Sequence, residues 1–376
     1  MKKQTLRKVL ALVLVCVMAL CLLAGCGGDK NTGKTDNPGT GNSGNTGNTG
    51  NTGKTDSKDV LKMSFSHHDA ATSIWGICFE DWADEVDKAG LTDITVYAGA
   101  TLAAPADGLN ALRTGVCDIL WTNTAFFPGQ FPVTDATILP MINNGATADE
   151  ATQVLWDLWE DEEMGKALRD EWSEFKILIM HGSPGFPIGL AKAGSKPSDL
   201  AGRTLRAPAG GLTELMSAIG ANPVLTPSGD IYTSMDKGII EGYNIDYAGI
   251  AGFKLQDVTN FALDLNTINQ FMVVLMKKDK FDALPADVQA ALEAASGREA
   301  SITLAKRTQE SSDATRAEFE STDRLIIPTE GELAEWEAAA EPVHQNWITK
   351  NTSADFDAQA FYDNLVALFQ KYTAEG

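Results

Sequence analysis

The sequence predicts an α/β protein built as two lobes, and three observations lead there. The folded part runs from about residue 59 to residue 376, a length at which a single core ordinarily splits. Strand-like and helix-like segments alternate along it, the grammar of α/β lobes. Two stretches, LNALRTGVCDILW and YTSMDKGIIEGYN, share one layout of helix, glycine stop, apolar-x-acidic and a strand end carrying an aromatic. In successive α/β units this predicts similar lobes facing one cleft, where ligands bind outside the carboxyl ends of strands.

The elements follow in order. Residues 61–66 alternate Leu61, Met63, Phe65 with Lys62, Ser64, Ser66, a half-buried strand. Ile74, Ile77, Cys78, Trp82 and Val86 recur at helical spacing, and Gly90 ends that helix. Residues 94–97 read as a strand, 105–115 as a helix opened by Pro105 and stopped by Gly115, and 116–121 as a strand. In the second lobe, strands are expected at 176–180, 188–191, 203–207 and 239–245. Helices are expected at GLTELMSAIG and SGDIYTSMDKG, each closed by glycine. The apolar run 271–276 is a late strand suited to return to the first lobe. From Pro285 a helical pattern of roughly 35 residues would span about 50 Å, enough to cross both lobes, with Gly297 as a bend. Helices over 330–349 and 355–372 carry apolar faces that would cover the lobes.

The N-terminus stands outside this fold. Lys2, Lys3, Arg7 and Lys8 precede an apolar run over 9–23, too short for a stable span. Leu23-Ala24-Gly25-Cys26 has the form of a lipobox, so 1–25 reads as a lipoprotein signal peptide and Cys26 as the lipidated first mature residue. Residues 26–58, rich in Gly, Asn and Thr, form a tether with almost nothing to bury and a reach of roughly 30 Å. Removing the four basic residues takes the formal charge from −21 to −25, which argues against nucleic acid as a partner. The expected place is extracytoplasmic, held by lipid to the outer face of the cytoplasmic membrane. Lobe I is expected to comprise 59–180 with 268–307, and lobe II 181–267 with 308–376.

Few residues suggest chemistry. Cys78 and Cys117, the cysteines left in the folded part, read as free and buried, although a disulfide between them remains open in an oxidising compartment. HGSPG is not a nucleophile elbow, and adjacent His67 and His68 on a strand end would point to opposite sides. No phosphate loop occurs. No enzyme, cofactor or metal site is expected.

SDLAGRTLRAPAGG poses a sharper question: it sets Arg206 at the end of a short β-prone run in a strongly acidic chain. GLNALRTGVCDILW, FPGQFPVTDATILP, KPSDLAGRTLRAPAGG, MSAIGANPV, GDIYTSMDKGIIEG and DALPADVQAALEAA occur in an order and spacing that resembles the DctP-type solute-binding proteins of TRAP (tripartite ATP-independent periplasmic) transporters. The resemblance implies a two-lobe periplasmic-binding-protein-like (Venus flytrap) fold with a long helix through both lobes, closing on an organic acid. It implies that Arg206 pairs with the ligand carboxylate, and that the small and large TRAP membrane subunits are partners of a monomeric protein. The chain departs from many members in lacking a second arginine after the strand ending at Met180. It also has Asn244 shifted by one, and Ser228-Gly229 where some members carry an aromatic. Rings at or near strand ends (Trp121, Phe126, Phe127, Phe186, Tyr243, Tyr247) favour an aromatic or apolar monocarboxylate. The candidate ligand set is Arg206, Trp121, His67, His68, Phe186, Asn244, Tyr243, Tyr247 and Asn269; His181 is a further possible hydrogen-bonding partner. A sensor presenting its loaded form to a membrane receptor is the alternative, and an extracellular hydrolase a weaker one.

Overall fold

In the computed structural model, which describes residues 60–375, the strands gather into two mixed sheets. The signal segment, Cys26 and the tether lie outside the described residues. The first sheet has the order β2-β1-β3-β10-β4, from β1 (Leu61–Ser66), β2 (Thr92–Tyr97), β3 (Ile119–Asn123), β4 (Phe175–Gly182) and β10 (Phe271–Lys277). The second has the order β11-β9-β5-β8-β6-β7, from β5 (Ile188–Leu190), β6 (Thr204–Arg206), β7 (Asn222–Val224), β8 (Gly242–Asn244), β9 (Phe261–Leu263) and β11 (Leu325–Ile326). β1 runs parallel to β2 and β3, whereas β10 enters antiparallel between β3 and β4, with Val274 opposite Trp121 and Met272 opposite His181. The late apolar strand thus returns to the first sheet, as its sequence predicts.

Helices cover both sheets: α1 (Ile74–Asp87), α2 (Gly108–Thr114), α3 (Ala148–Glu160), α4 (Gly165–Glu171), α5 (Pro197–Leu200), α6 (Gly211–Ala218), α7 (Ile231–Asp236), α8 (Tyr247–Gly252), α9 (Lys278–Asp282), α10 (Ala286–Ala294), α11 (Gly297–Ser321), α12 (Glu330–Asn351) and α13 (Ala358–Glu375). α1 starts where Ser73 caps it, its hydroxyl accepting from Gly76 N–H, and buries Trp75, Phe79, Trp82 and Val86 against the first sheet. α3, opened by a Thr147–Glu150 capping box, was not assigned from the sequence.

The single helix expected from Pro285 is two. Ser296 is extended and Gly297 takes a φ of +82°, so α10 stops and a 25-residue helix, about 38 Å long, begins again in a new direction. α11 packs on α3 and β4 at its first part and on α8 and β11 further on. Its buried stripe is Ser301, Leu304, Ala305, Thr308, Ser312, Thr315 and Phe319, mostly small side chains that let neighbouring backbones approach closely. Polar contacts fix its register: Ser301 Oγ accepts from Met180 N–H at 3.2 Å, and Arg316 donates to Asp264 at 2.7 Å. α13 packs on α3, while α12 reaches α6 and α5. Strands 3 and 8 begin later than the alternation suggests, because Val116 and Ile239 are exposed and belong to the turns after their helices.

Between the sheets lies an asparagine knot. Asn269 donates to Ala146 C=O at 3.0 Å and Ser183 C=O at 2.8 Å, and accepts from Asn143 at 2.6 Å. Asn143 also donates to Asn266, which donates in turn to Ala146 C=O. Gly185 makes room for it: a Cβ there would stand 2.0 Å from Asn266 Oδ1. These contacts tie the segments passing from β4 to β5 and from β9 to β10, the places where the chain leaves one sheet for the other. Asn269 therefore has a structural role that accounts for its position, and its amide does not face the site described below. Replacing Asn269 with Ala strands buried polar groups and is expected to cost about 2–4 kcal/mol in chemical denaturation; an unchanged midpoint would contradict this reading.

Candidate functional site

The carboxyl ends of β1, β3, β6 and β8 converge on one cavity of about 520 Å³ between the two sheets. The sides differ in chemistry. From the first sheet and its helices come His68, Asp69, Trp75, Trp121, Asn123, Phe126, Gln270 and Met272. From the second come Phe186, Arg206, Ser228, Ile245, Asp246 and Phe253.

Arg206 is the last residue of β6 and only 6% exposed. Its side chain does not pair with Asp199, whose carboxylate instead accepts backbone N–H groups of Ser195 and Lys196 at the start of α5. Three neutral acceptors hold the guanidinium: Nε donates to Thr226 C=O at 3.0 Å, Nη1 to Asn244 C=O at 2.5 Å and Nη2 to Ser228 Oγ at 3.2 Å. A guanidinium has five N–H groups. Three are used, leaving one on each terminal nitrogen with no partner among the described residues. No carboxylate of a described residue lies within ion-pairing distance of it. Burial without a counterion pulls its pKa down to about 10, still charged at neutral pH. Arg206 is thus a fixed cation on the cavity wall with two donors to spare.

The facing wall carries a flat, neutral aromatic face, with the Asp69 carboxyl beside it. His68 stacks on Trp121 at 4.5 Å and 16°, with Phe126 edge-on to it at 4.9 Å. Trp121 Nε1–H donates to His181 Nε2 at 3.1 Å, which fixes His181 as the tautomer carrying its proton on Nδ1, toward Gly182 C=O. Burial lowers the pKa of His181 to about 4 and, with the neighbouring His67, that of His68 to about 3. None of these imidazoles carries charge at neutral pH.

Two acids also face the cavity. Asp246, two residues beyond β8, caps α8 and accepts from Gly249 N–H at 2.8 Å, which holds it away from Arg206. Asp69, three residues beyond β1, accepts no hydrogen bond from a described residue; His68 Nε2 stands 3.8 Å from its Oδ1. Burial, and then the charge of Asp246, raise the pKa of Asp69 to about 7, and burial raises that of Asp246 to about 6.

The structure brings Arg206, Trp121, His68 and Phe186 of the sequence-derived set to the cavity. The rest lie elsewhere. Tyr243 is fully buried, and its hydroxyl meets Thr259 Oγ1 at 2.5 Å inside the second lobe. Tyr247 reaches Asp264 at 3.1 Å and packs near Phe319 of α11. His67 sits among Phe65, Phe79 and Trp121, with no partner for either ring nitrogen among the described residues. Asn244 contributes its carbonyl to Arg206, while its side-chain amide is buried with no partner among the described residues and does not line the cavity. Cys78 and Cys117 are free and buried, and no cluster among the described residues could hold a metal ion.

Sequence reading missed Asp69, Asp246, Trp75, Ser228, Gln270 and Met272. The two acids lie two or three residues past a strand end, whereas Arg206 is the last residue of its strand. Trp75 falls outside the stripe read from the sequence, whose Ile77 is exposed; the buried face of α1 runs instead through Trp75, Cys78, Phe79 and Trp82.

Residues 65–351 match the family described as DctP, bacterial extracellular solute-binding protein, family 7. The C4-dicarboxylate-binding periplasmic protein DctP of Rhodobacter capsulatus is 27% identical over 277 residues, 71% of this chain and 79% of that protein. A TRAP solute-binding protein from Rhodoferax ferrireducens T118, in complex with copurified benzoate, superposes with a TM-score of 0.76 at 23% identity, covering 84% of this chain and 99% of that one. A Bordetella bronchiseptica TRAP periplasmic solute-binding protein with bound (R)- and (S)-mandelate gives 0.73 at 21% identity, covering 83% and 99%.

The acids make a signed prediction. A carboxyl with a raised folded-state pKa holds its proton more tightly when folded, so its contribution to stability falls as pH rises from about 4 to about 7. Asp69→Asn is therefore expected to raise Tm over the parent by ~4 °C or more at pH 8 and to leave it nearly unchanged at pH 4. A thermal-unfolding series across pH checks this; an equal difference at both ends would show that Asp69 ionises freely.

Proposed function

The chain belongs to the DctP family of bacterial extracellular solute-binding proteins, and from that premise we propose that it captures an aromatic or otherwise apolar monocarboxylate by lobe closure around Arg206. It is an extracytoplasmic solute-binding protein of the TRAP type, a family that binds rather than converts its ligand. The observation that carries the ligand reading is the buried guanidinium with one spare N–H on each terminal nitrogen, facing neutral rings. A carboxylate fits such a fork with two parallel charge-assisted bonds. The stacked His68–Trp121 pair and Phe126 offer a flat apolar counterface. The benzoate and mandelates held by structural relatives have this two-ended character.

The two sheets serve as the halves of a closing body, with the asparagine knot and α11 as the parts that run between them. In this reading lobe I is built around 59–180 and 268–307, and lobe II around 181–267 and 308–376. A ligand drives closure only through contacts it makes better in the closed form than in the open one. An acid gripped by Arg206 from the second sheet and stacked on Trp121 from the first meets that condition. Cys26 would tie the body to the membrane, and the loaded form would be handed to the small and large TRAP membrane subunits for ion-gradient-driven uptake.

Arg206→Ala is expected to weaken binding of a bound aromatic acid by about 100-fold or more in calorimetry, since a buried ion pair broken on one side costs on the order of 3–5 kcal/mol. Arg206→Lys keeps the charge but not the fork and should recover only part of the loss. The matching primary amide should bind wild type as weakly as the acid binds the Ala variant. Equal affinity of acid and amide would overturn the proposal.

A further inference from the structure

We propose that Asp69 is a specificity-determining residue, accepting a hydrogen bond from a second polar group on the ligand, so that the protein selects hydroxy- or amino-substituted carboxylic acids over unsubstituted acids and over dicarboxylates. This inference rests on the reading of Arg206 as the carboxylate anchor and adds the other end of the ligand to it.

The argument begins with an unmet acceptor. Asp69 is 5% exposed, lines the cavity and accepts no hydrogen bond from any described residue. A buried carboxylate in that condition is costly. Its neighbours offer no relief. His68 Nε2 is 3.8 Å away, and its neutral ring is committed to stacking on Trp121. The charge of Asp246 repels that of Asp69 across the same cavity, and Asp246 is itself occupied in capping α8. Arg206 is held by Thr226, Asn244 and Ser228. Taking up a proton relieves the charge only in part at neutral pH, and a donor carried in by the ligand satisfies the ionised form.

Charge points the same way. The cavity presents one fixed cation and two acidic side chains. A monocarboxylate neutralises Arg206 and leaves the acids facing an uncharged remainder. A hydroxyl supplies Asp69 with a donor, and an ammonium supplies both a donor and the missing positive charge. A second carboxylate would lie among like charges. The specificity therefore comes partly from rejection, and the rejected class is the dicarboxylates.

The test compares 3-phenylpropionate with its α-hydroxy, α-amino, ring 3-hydroxy and α-carboxy derivatives by calorimetry, on wild type, Asp69→Ala, Asp69→Asn and Arg206→Ala. The readout is the ratio of dissociation constants between parent acid and derivative within each protein, which a general loss of folding or closure would not move selectively. At least one donor-bearing derivative should bind wild type tenfold or more tighter than the parent, and the α-carboxy derivative tenfold or more weaker. Both ratios should fall toward one in Asp69→Ala. In Asp69→Asn, which keeps an acceptor but not the charge, the ammonium preference should vanish and the dicarboxylate penalty should shrink. Equal binding of parent and every donor-bearing derivative, or preferences that survive both Asp69 variants, would overturn the inference while the dependence on Arg206 still stood. A preference that appears only with added Ca²⁺ and disappears with EDTA would overturn direct hydrogen bonding to Asp69. If no acid in the series binds wild type, both readings fall.

Discussion

A buried guanidinium held by neutral acceptors and matched by no carboxylate is the constraint around which the rest of the site is arranged. Taking a cation out of water without a counterion is unfavourable, and the three hydrogen bonds to Thr226, Asn244 and Ser228 only partly offset it. The fold holds Arg206 there by putting it at the end of a strand whose neighbours supply two of those acceptors from backbone or near-backbone positions. Asp246, two residues past the adjoining strand, is occupied in the cap of α8. In the proposed function, an anion from outside does what no described side chain does.

The aromatic face opposite works by withholding charge. Three histidines near the cleft are neutral because burial depresses their pKa values, and one of them is locked into a single tautomer by Trp121. Their rings behave as flat polarisable surface. In the proposed function the cation comes from one sheet and the stacked His68–Trp121 face from the other, so an aromatic acid would gain contacts from both halves on closure. The connections that must yield during such a movement are few: the asparagine knot, and α11, whose small buried residues pack closely on both sides.

Much of this was legible in the sequence, and the failures have physical causes. The strand ending in Arg206-Ala-Pro is readable because proline and two glycines stop it and leave the arginine at its end. The halves were legible from alternation and glycine stops. The 35-residue helix was not, since helical spacing persists through Ser296-Gly297 although a positive φ breaks the axis. Tyr243 reads as a ligand residue because it lies at a strand end. On a strand of three residues, however, side chains separate by face within one step, and Gly189 leaves the space that lets the ring lie inward toward Thr259. Nothing local to Asn269 reveals its partners, the Asn143 amide and the carbonyls of Ala146 and Ser183, all far away in sequence. Asp69 and Asp246 escaped notice because an aspartate after a strand is usually a cap or a solvated turn residue. One of them is indeed a cap, and nothing local reveals that both face a cavity.

The most direct measurement is a crystal structure of the protein with a bound aromatic acid. The account predicts one carboxylate oxygen within hydrogen-bonding distance of each terminal nitrogen of Arg206, with the ring lying on the His68–Trp121 face and the bonds to Thr226 and Asn244 retained. A carboxylate bound elsewhere in the cavity, with Arg206 making only its present contacts, would contradict it.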